Sequence, residues 1–341
     1  MKIHLSLKSL ILAVVIVASA LACWELHLRN QGIAPDFDDS PELWANSRAM
    51  VYEPSDKATV FIGSSRIKYD LDIPTWENSA HTHAIQLAMV GSSPRTILSD
   101  LANDPNFKGK LVVDVTEVLF FNDAPYVLAS PGEGISYYKK RTPAQKANFV
   151  FDKYLEANLA MLNKDFYSLN GLLNHTGVPN RTGVYAGLDF PVGFGQTLYN
   201  RQTKMTPAFL ADTNRINQVR GIWGCVAKMS KEPPVSGKAL DAIFASVKHD
   251  VDKIKARGGD VVFLRTPSSG PFFMGENMGY PRAKYWDRLI AVTGCKGIYF
   301  TDYPALANLV CPEFSHLKPS DAVLYTKGML NALKQQTDWK L

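Results

Sequence analysis

Cysteine is scarce: four residues in 341. That excludes a disulfide-built miniature domain and a cysteine-rich zinc module. Glycine-rich phosphate motifs are missing as well. Neither G-x-G-x-x-G nor a P-loop lysine motif occurs, which disfavours nucleotide cofactors. Gly (23) and Pro (20) are ordinary in number and unperiodic, so collagen-like and low-complexity architectures are out. The mean hydropathy is slightly negative, which excludes a multi-span membrane protein. Charge of one sign is also limited. The net excess is +5, weak support for a polyanionic partner, and no nucleic-acid module is visible. Apolar material is not lacking: 46% of residues are hydrophobic, enough for a core.

Acid is absent from the first 24 residues. Lys2 and Lys8 precede an uncharged run from Ser9 to Trp24, which ends in Ala18-Ser19-Ala20-Leu21-Ala22. A cationic start, an apolar middle and small residues in A-x-A spacing fit a secretory signal cleaved after Ala20 or Ala22. They also fit an uncleaved anchor. Sixteen uncharged residues reach ~24 Å, short of a ~30 Å hydrocarbon core, but Leu5, Leu7 and a snorkelling Lys8 extend them, and Trp24 suits an interface. A lipid on Cys23 and a buried core helix are the other readings. The anchor, the signal and the lipid share one consequence. The positive-inside rule puts the lysines in the cytoplasm and everything after Trp24 outside it. The expectation is a single-pass inner-membrane protein with its domain in the periplasm, or a protein secreted there. In that oxidising space Cys295 and Cys311 either pair or remain separate buried thiols.

Residues 1–30 thus form the anchor or signal, and 31–57 a polar linker with a short helix near Pro41–Arg48. Strands and helices then alternate. Strands are expected at Thr59–Ile62, Ala84–Ala88, Lys110–Val115, Asp260–Leu264 and Gly297–Thr301. Helices are expected after Ser93-Pro94, over Ala239–Arg257, over Arg282–Val292 and from a Ser320 cap to Gln335. This order indicates βαβ units and a five-stranded parallel sheet. Its first part is 58–121 and its second part 239–341. Between them, 122–238 breaks the alternation and reads as an insertion capping one end of the sheet, with a helix near Pro143–Leu162. From Asp123 to Pro234 it holds thirteen Lys/Arg and eight Asp/Glu, so the chain's basic excess sits there.

Three short segments can carry chemistry. Gly63-Ser64-Ser65-Arg66 ends the first strand, so a turn there projects a serine hydroxyl from the sheet's carboxyl edge. Glu313-Phe314-Ser315-His316 precedes the last helix, and an acid three residues before a histidine can hold the imidazole tautomer. Gly91 ends the second strand, where a backbone N–H can approach a developing oxyanion. Arg66, Glu117 and Arg265 lie at the same edge and are candidate substrate-binding residues. Metal binding has little support, since His81-Thr82-His83 lacks a cysteine or carboxylate cluster nearby, and the chemistry needs no cofactor.

Taken in this order, the segments resemble the SGNH/GDSL hydrolase superfamily. The resemblance covers about 57–122 and 239–335. It implies a flavodoxin-like three-layer α/β/α fold, Ser65 as nucleophile, His316 as base, Glu313 as its orienter, and the Ser65 and Gly91 amides as oxyanion donors. Ser64 and Glu313 each stand where the family usually has Asp. The third block, Gly-x-Asn-Asp, has no counterpart after Asp114-Val115-Thr116-Glu117, so a third oxyanion donor is missing or comes from elsewhere. These departures are more similar to membrane-anchored envelope members that assist O-acetylation of exported polysaccharides or D-alanylation of teichoic acids. The resemblance therefore implies an extracytoplasmic serine esterase or O-acyltransferase acting on an acylated glycan or a small ester. The alternative is a catalytically silent binding or assembly module with a membrane acyltransferase as partner. A third reading is a sugar- or metabolite-binding protein.

Overall fold

The computed structural model describes residues 7–167, 190–229 and 232–341, with Asp165 and Tyr167 described by their backbone. Lys2, and residues 183–189 of a stretch whose sequence reads as a loop over Gly183–Gln196, lie outside the described residues. In chain order the first elements are α1 (Leu7–Asn30), α2 (Pro41–Ala49), β1 (Ala58–Ile62), α3 (Ser65–Asp70), α4 (Ile73–Ala80), β2 (His83–Gln86) and α5 (Arg95–Asn103). Next come β3 (Lys110–Asp114), α6 (Glu117–Phe120), α7 (Pro125–Lys140), α8 (Pro143–Asn158) and α9 (Lys164–Tyr167). A small ribbon, β4 (Gln196–Thr197) and β5 (Thr203–Lys204), leads to α10 (Pro207–Leu210) and α11 (Thr213–Met229). The chain closes with α12 (Gly237–Ala256), β6 (Asp260–Arg265), α13 (Gly270–Gly279), α14 (Trp286–Thr293), β7 (Lys296–Tyr299), α15 (Pro304–Ala307) and α16 (Pro319–Gln336).

Two compact units result. One comprises 39–143 and 190–341, the other 1–38 and 144–189. The stretch 122–238 is therefore divided: 122–143 and 190–238 belong with the sheet, and 144–189 with the amino-terminal helix.

The larger unit is a three-layer α/β/α fold around a five-stranded sheet of order β2-β1-β3-β6-β7. All four pairings are parallel. Both β1 (Ala-Thr-Val-Phe-Ile) and β3 are buried along their whole length, as strands covered on both faces must be. On one side α5, α12 and α14 pack together, and on the other α3, α4 and α16. The order reverses between β1 and β3, and such a switch point leaves a crevice at the strands' carboxyl ends.

The expected strands and the long helix α12 are present, with ends shifted by a few residues. Other expectations need correction. Residues 39–57 are no spacer: Leu43, Trp44 and Ala45 of α2 are buried, and Trp44 Nε1 donates to the Leu87 carbonyl at 3.0 Å. A run that reads as polar overall hides this apolar face on one short helix. Helix α14 starts at Trp286, because 281–285 form a turn closed by Lys284 N donating to the Pro281 carbonyl. The last helix is capped at Lys318, with Pro319 in its first turn, and not by Ser320. Cys295 and Cys311 are both buried free thiols, each donating to a nearby carbonyl: Thr293 and Pro267 respectively.

In the smaller unit α1 is 24 residues long, ~36 Å, because the helix continues past Trp24. Glu25 and Arg29 pair on this added turn at 2.6 Å. The helix is long and apolar enough to cross a membrane.

Gly63 is a point of close packing behind the Ser64–Ser65 turn. A Cβ there would meet Ile67 Cγ2 at 2.5 Å and Asp114 Cβ at 2.7 Å. Gly63→Ala is expected to destabilise the protein by about 1–3 kcal/mol in urea unfolding, as overpacked cores do. An unchanged midpoint would show that this contact relaxes freely.

Candidate active site

Strand β1 delivers the chain to Gly63, and α3 begins two residues later. Ser64 caps α3 in an extended conformation, its Oγ accepting from Arg66 N at 3.5 Å. The same Oγ lies 2.6 Å from Thr116 Oγ1, which donates to Asp114 Oδ2 at 3.3 Å. Ser64 thus ties the turn to the end of β3, and Ser65 is left half-buried at the crevice.

The loop 311–318 brings the histidine. Leu317 N donates to Asp70 Oδ1 at 2.9 Å, which fastens the loop to the end of α3. Phe314 has φ +82°, the left-handed region that a residue with a Cβ rarely adopts. Gly270 accommodates it, since a Cβ there would stand 3.0 Å from the Phe314 ring. Ser269 N also donates to the Phe314 carbonyl, at 2.9 Å.

These two segments place Ser65 Oγ 2.9 Å from His316 Nε2, and His316 Nδ1 3.0 Å from Glu313 Oε1. Glu313 Oε1 also accepts the Ser315 and His316 amides, and Oε2 accepts the Trp223 indole N–H. Burial alone would raise the Glu313 pKa. The His316 imidazole, its hydrogen bond, and the Trp223 and His316 N–H groups outweigh it and hold the carboxyl below its ordinary value. An ionised carboxylate only accepts, so Nδ1 carries the proton and Nε2 presents its lone pair to the Ser65 hydroxyl. The rings of Tyr69, Phe194 and Trp223 lie with centroids 4.3, 5.7 and 6.2 Å from the imidazole. This apolar shell strengthens the electrostatics inside it. From Trp223 the aromatic surface continues to Phe190 and Phe272 at 5.2 and 5.8 Å.

The three candidate substrate residues are engaged elsewhere. Arg66 pairs with Glu276, and its Nε donates to Ser315 Oγ at 3.4 Å. Arg265 pairs with Glu276 and, at 3.0 Å, with Glu117. All four side chains are buried. The two guanidiniums hold the Glu276 carboxyl well below its usual range despite its burial. Arg66, Glu117 and Arg265 therefore join α3, α6, β6 and α13 into one ion cluster beside the nucleophile turn.

Gly91 has φ +63° and is exposed. Strand β2 ends at Gln86, yet its extension still follows the β1 turn: Met89 N donates to the Gly63 carbonyl at 3.2 Å. Among the described residues, no group of three or more His, Cys, Asp or Glu side chains is placed to hold a metal. His83 Nδ1 instead lies 2.7 Å from Glu53 Oε2 at the surface.

Trp223 and Glu276 carry no readable signal in the sequence. Trp223 stands 90 positions from Glu313, and Glu276 stands 210 positions from Arg66. No local spacing links either pair.

Two titrations test this electrostatic picture. Trp223→Phe leaves a buried carboxylate oxygen without its donor, which costs roughly 1.5–3 kcal/mol. A depressed carboxyl stabilises above its unfolded pKa and loses that contribution as pH falls. The gap between wild type and Trp223→Phe in urea unfolding is therefore expected at pH ~7 and should shrink below about pH 4. A gap independent of pH would point to lost packing alone. Asp114 behaves oppositely, since burial pushes its carboxyl up to about 6. The folded protein holds this proton after the unfolded chain has released it, so the contribution is intact at low pH and lost as pH rises through about 6. Asp114→Asn should flatten the fall in Tm between about pH 4 and pH 7. An identical slope would remove Asp114 as its source.

No family model matches the chain, and neither does any curated protein.

Proposed function

We propose that this protein is an SGNH/GDSL-like serine esterase or O-acyltransferase of the cell envelope, held to the membrane by α1. One observation supports it above the others: the continuous Ser65–His316–Glu313 hydrogen-bond chain at the switch point of the sheet.

In this reading Ser65 Oγ attacks the carbonyl carbon of an acyl ester while His316 Nε2 takes the hydroxyl proton. Glu313 stays ionised and stabilises the imidazolium. The Ser65 and Gly91 amides stabilise the tetrahedral oxyanion. The intermediate collapses, the ester C–O bond breaks, and His316 returns the proton to the departing alcohol. A second hydroxyl then attacks the acyl-enzyme through the same base. Water makes the enzyme an esterase, and a glycan hydroxyl makes it a transferase. The half-buried and exposed rings of Trp223, Phe272 and Phe190 suit the apolar faces of a sugar or an acyl chain. Lys2 and Lys8 would keep the amino terminus in the cytoplasm and place the sheet domain in the periplasm.

A fluorophosphonate probe is expected to label the wild-type protein and to spare Ser65→Ala. Glu313→Gln should slow labelling by roughly 10³–10⁴-fold while the protein stays folded, the effect expected of a wrong tautomer. Folded wild type that resists the probe would instead support the silent binding or assembly module.

A further inference from the structure

Helix α8 presents its two faces the wrong way round for an ordinary surface helix. Ala147, Val150, Phe151, Tyr154 and Leu155 repeat at i, i+3, i+4, i+7 and i+8, and all of them are exposed. Phe151 and Tyr154 are 70% and 63% exposed. The other side of the helix, with Asp152, Lys153 and Glu156, is half-buried. No residue of α8 is buried. An amphipathic helix on a soluble domain turns its apolar stripe inward. Here that stripe faces out, and none of its residues is buried by the described residues.

The attachment of α8 bears on what could cover that stripe. Glu25 of α1 accepts the Ala160 and Met161 amides, each at 2.9 Å. Arg29 of α1 donates to the Asn158 carbonyl at 2.6 Å. These bonds fasten the carboxyl end of α8, and the short turn after it, to the last turns of α1. That place lies immediately past Trp24, where the uncharged run from Ser9 ends. A bilayer crossed by α1 would have its outer headgroups at this level. Such a bilayer would offer an apolar medium at the level where α8 is fastened. Charge fits as well, since Lys146 is exposed beside the apolar side, and Lys140 and Arg141 stand just before α8 in the sequence. Anionic headgroups attract such residues.

We propose that α8 is an interfacial helix. Its Val150, Phe151, Tyr154 and Leu155 side chains enter the headgroup–acyl boundary of the same bilayer that α1 spans. This inference rests on the membrane reading of α1.

The test uses the full-length chain in vesicles of phosphatidylcholine and phosphatidylglycerol, with bimane on one thiol at a time. Cys295 and Cys311 are buried and are spared in the folded protein. Label on native Cys23 in a Cys225→Ser protein reports on α1. Label on Phe151→Cys, in a Cys23→Ser, Cys225→Ser background, reports on the apolar side of α8. Lys153→Cys in that background reports on its other side. Lipid carrying a shallow spin label should quench the Cys23 and position-151 probes at least about threefold more than the position-153 probe. Quenching at Cys23 with positions 151 and 153 alike overturns the interfacial helix and leaves the anchor standing. A probe at position 151 shielded from aqueous iodide but untouched by the lipid quencher means a protein cover, such as a second copy, and also overturns it. No quenching at Cys23 removes the anchor reading, and the interfacial helix falls with it.

Discussion

A carboxylate in a protein interior survives as an ion only where donors surround it. Glu313 meets that condition with four N–H groups from three sources: its own loop, the imidazole and the α11 indole. Much of the site follows from this requirement. Oε1 draws in two successive amides, which sets the path of the loop from Glu313 to His316. Phe314 takes up that path with a left-handed backbone, braced by a glycine that leaves room for its ring. The imidazole is held by Nδ1, so Nε2 has one direction left, and Ser65 occupies it.

The second ion cluster does a different task. Arg66, Glu276, Arg265 and Glu117 lie in separate elements, and each charge is paired with the next. Removing a single member would strand a buried charge, which costs about 3–5 kcal/mol in comparable pairs. The cluster is thus a lock on geometry. It fixes Arg66, the residue after Ser65, to α13, and through Ser315 to the histidine loop. With Ser64 tied to β3 through Thr116, the serine turn is restrained from both sides. A hydroxyl held this way needs little reorganisation to keep its hydrogen bond to the imidazole.

The smaller unit obeys another constraint. Its long helix is apolar enough to cross a membrane, and α8 carries a second exposed apolar stripe. Both are held by polar contacts at one level of α1, through Glu25 and Arg29. In the membrane reading proposed for α1, this polar level would fall at the membrane–water boundary.

Much of the architecture was legible in the chain because its signals are local. Parallel strands buried on both faces read as β-branched apolar runs, and α12 shows a plain helical stripe from Leu240 to Ile254. Glu313 and His316 are three residues apart, so their partnership can be read from spacing. Ser65 stands out because Gly63 ends a strand. Other features had no local signature. The 31–57 stretch looked like a linker because polar residues such as Asp36, Asp38 and Asp39 surround the short helix whose Leu43, Trp44 and Ala45 reach the core. Arg66, Glu117 and Arg265 were expected to face a substrate, and only the fold shows that they face one another. Periodicity alone says that α8 has an apolar side, but not which way that side points. The sequence by itself determined the strand order's raw material, the apolar leader and the Glu313–His316 spacing. The tertiary structure alone decided who meets Glu313 and Glu276, because a buried charge is paired by proximity in space, across chain separations over which sequence spacing carries no information.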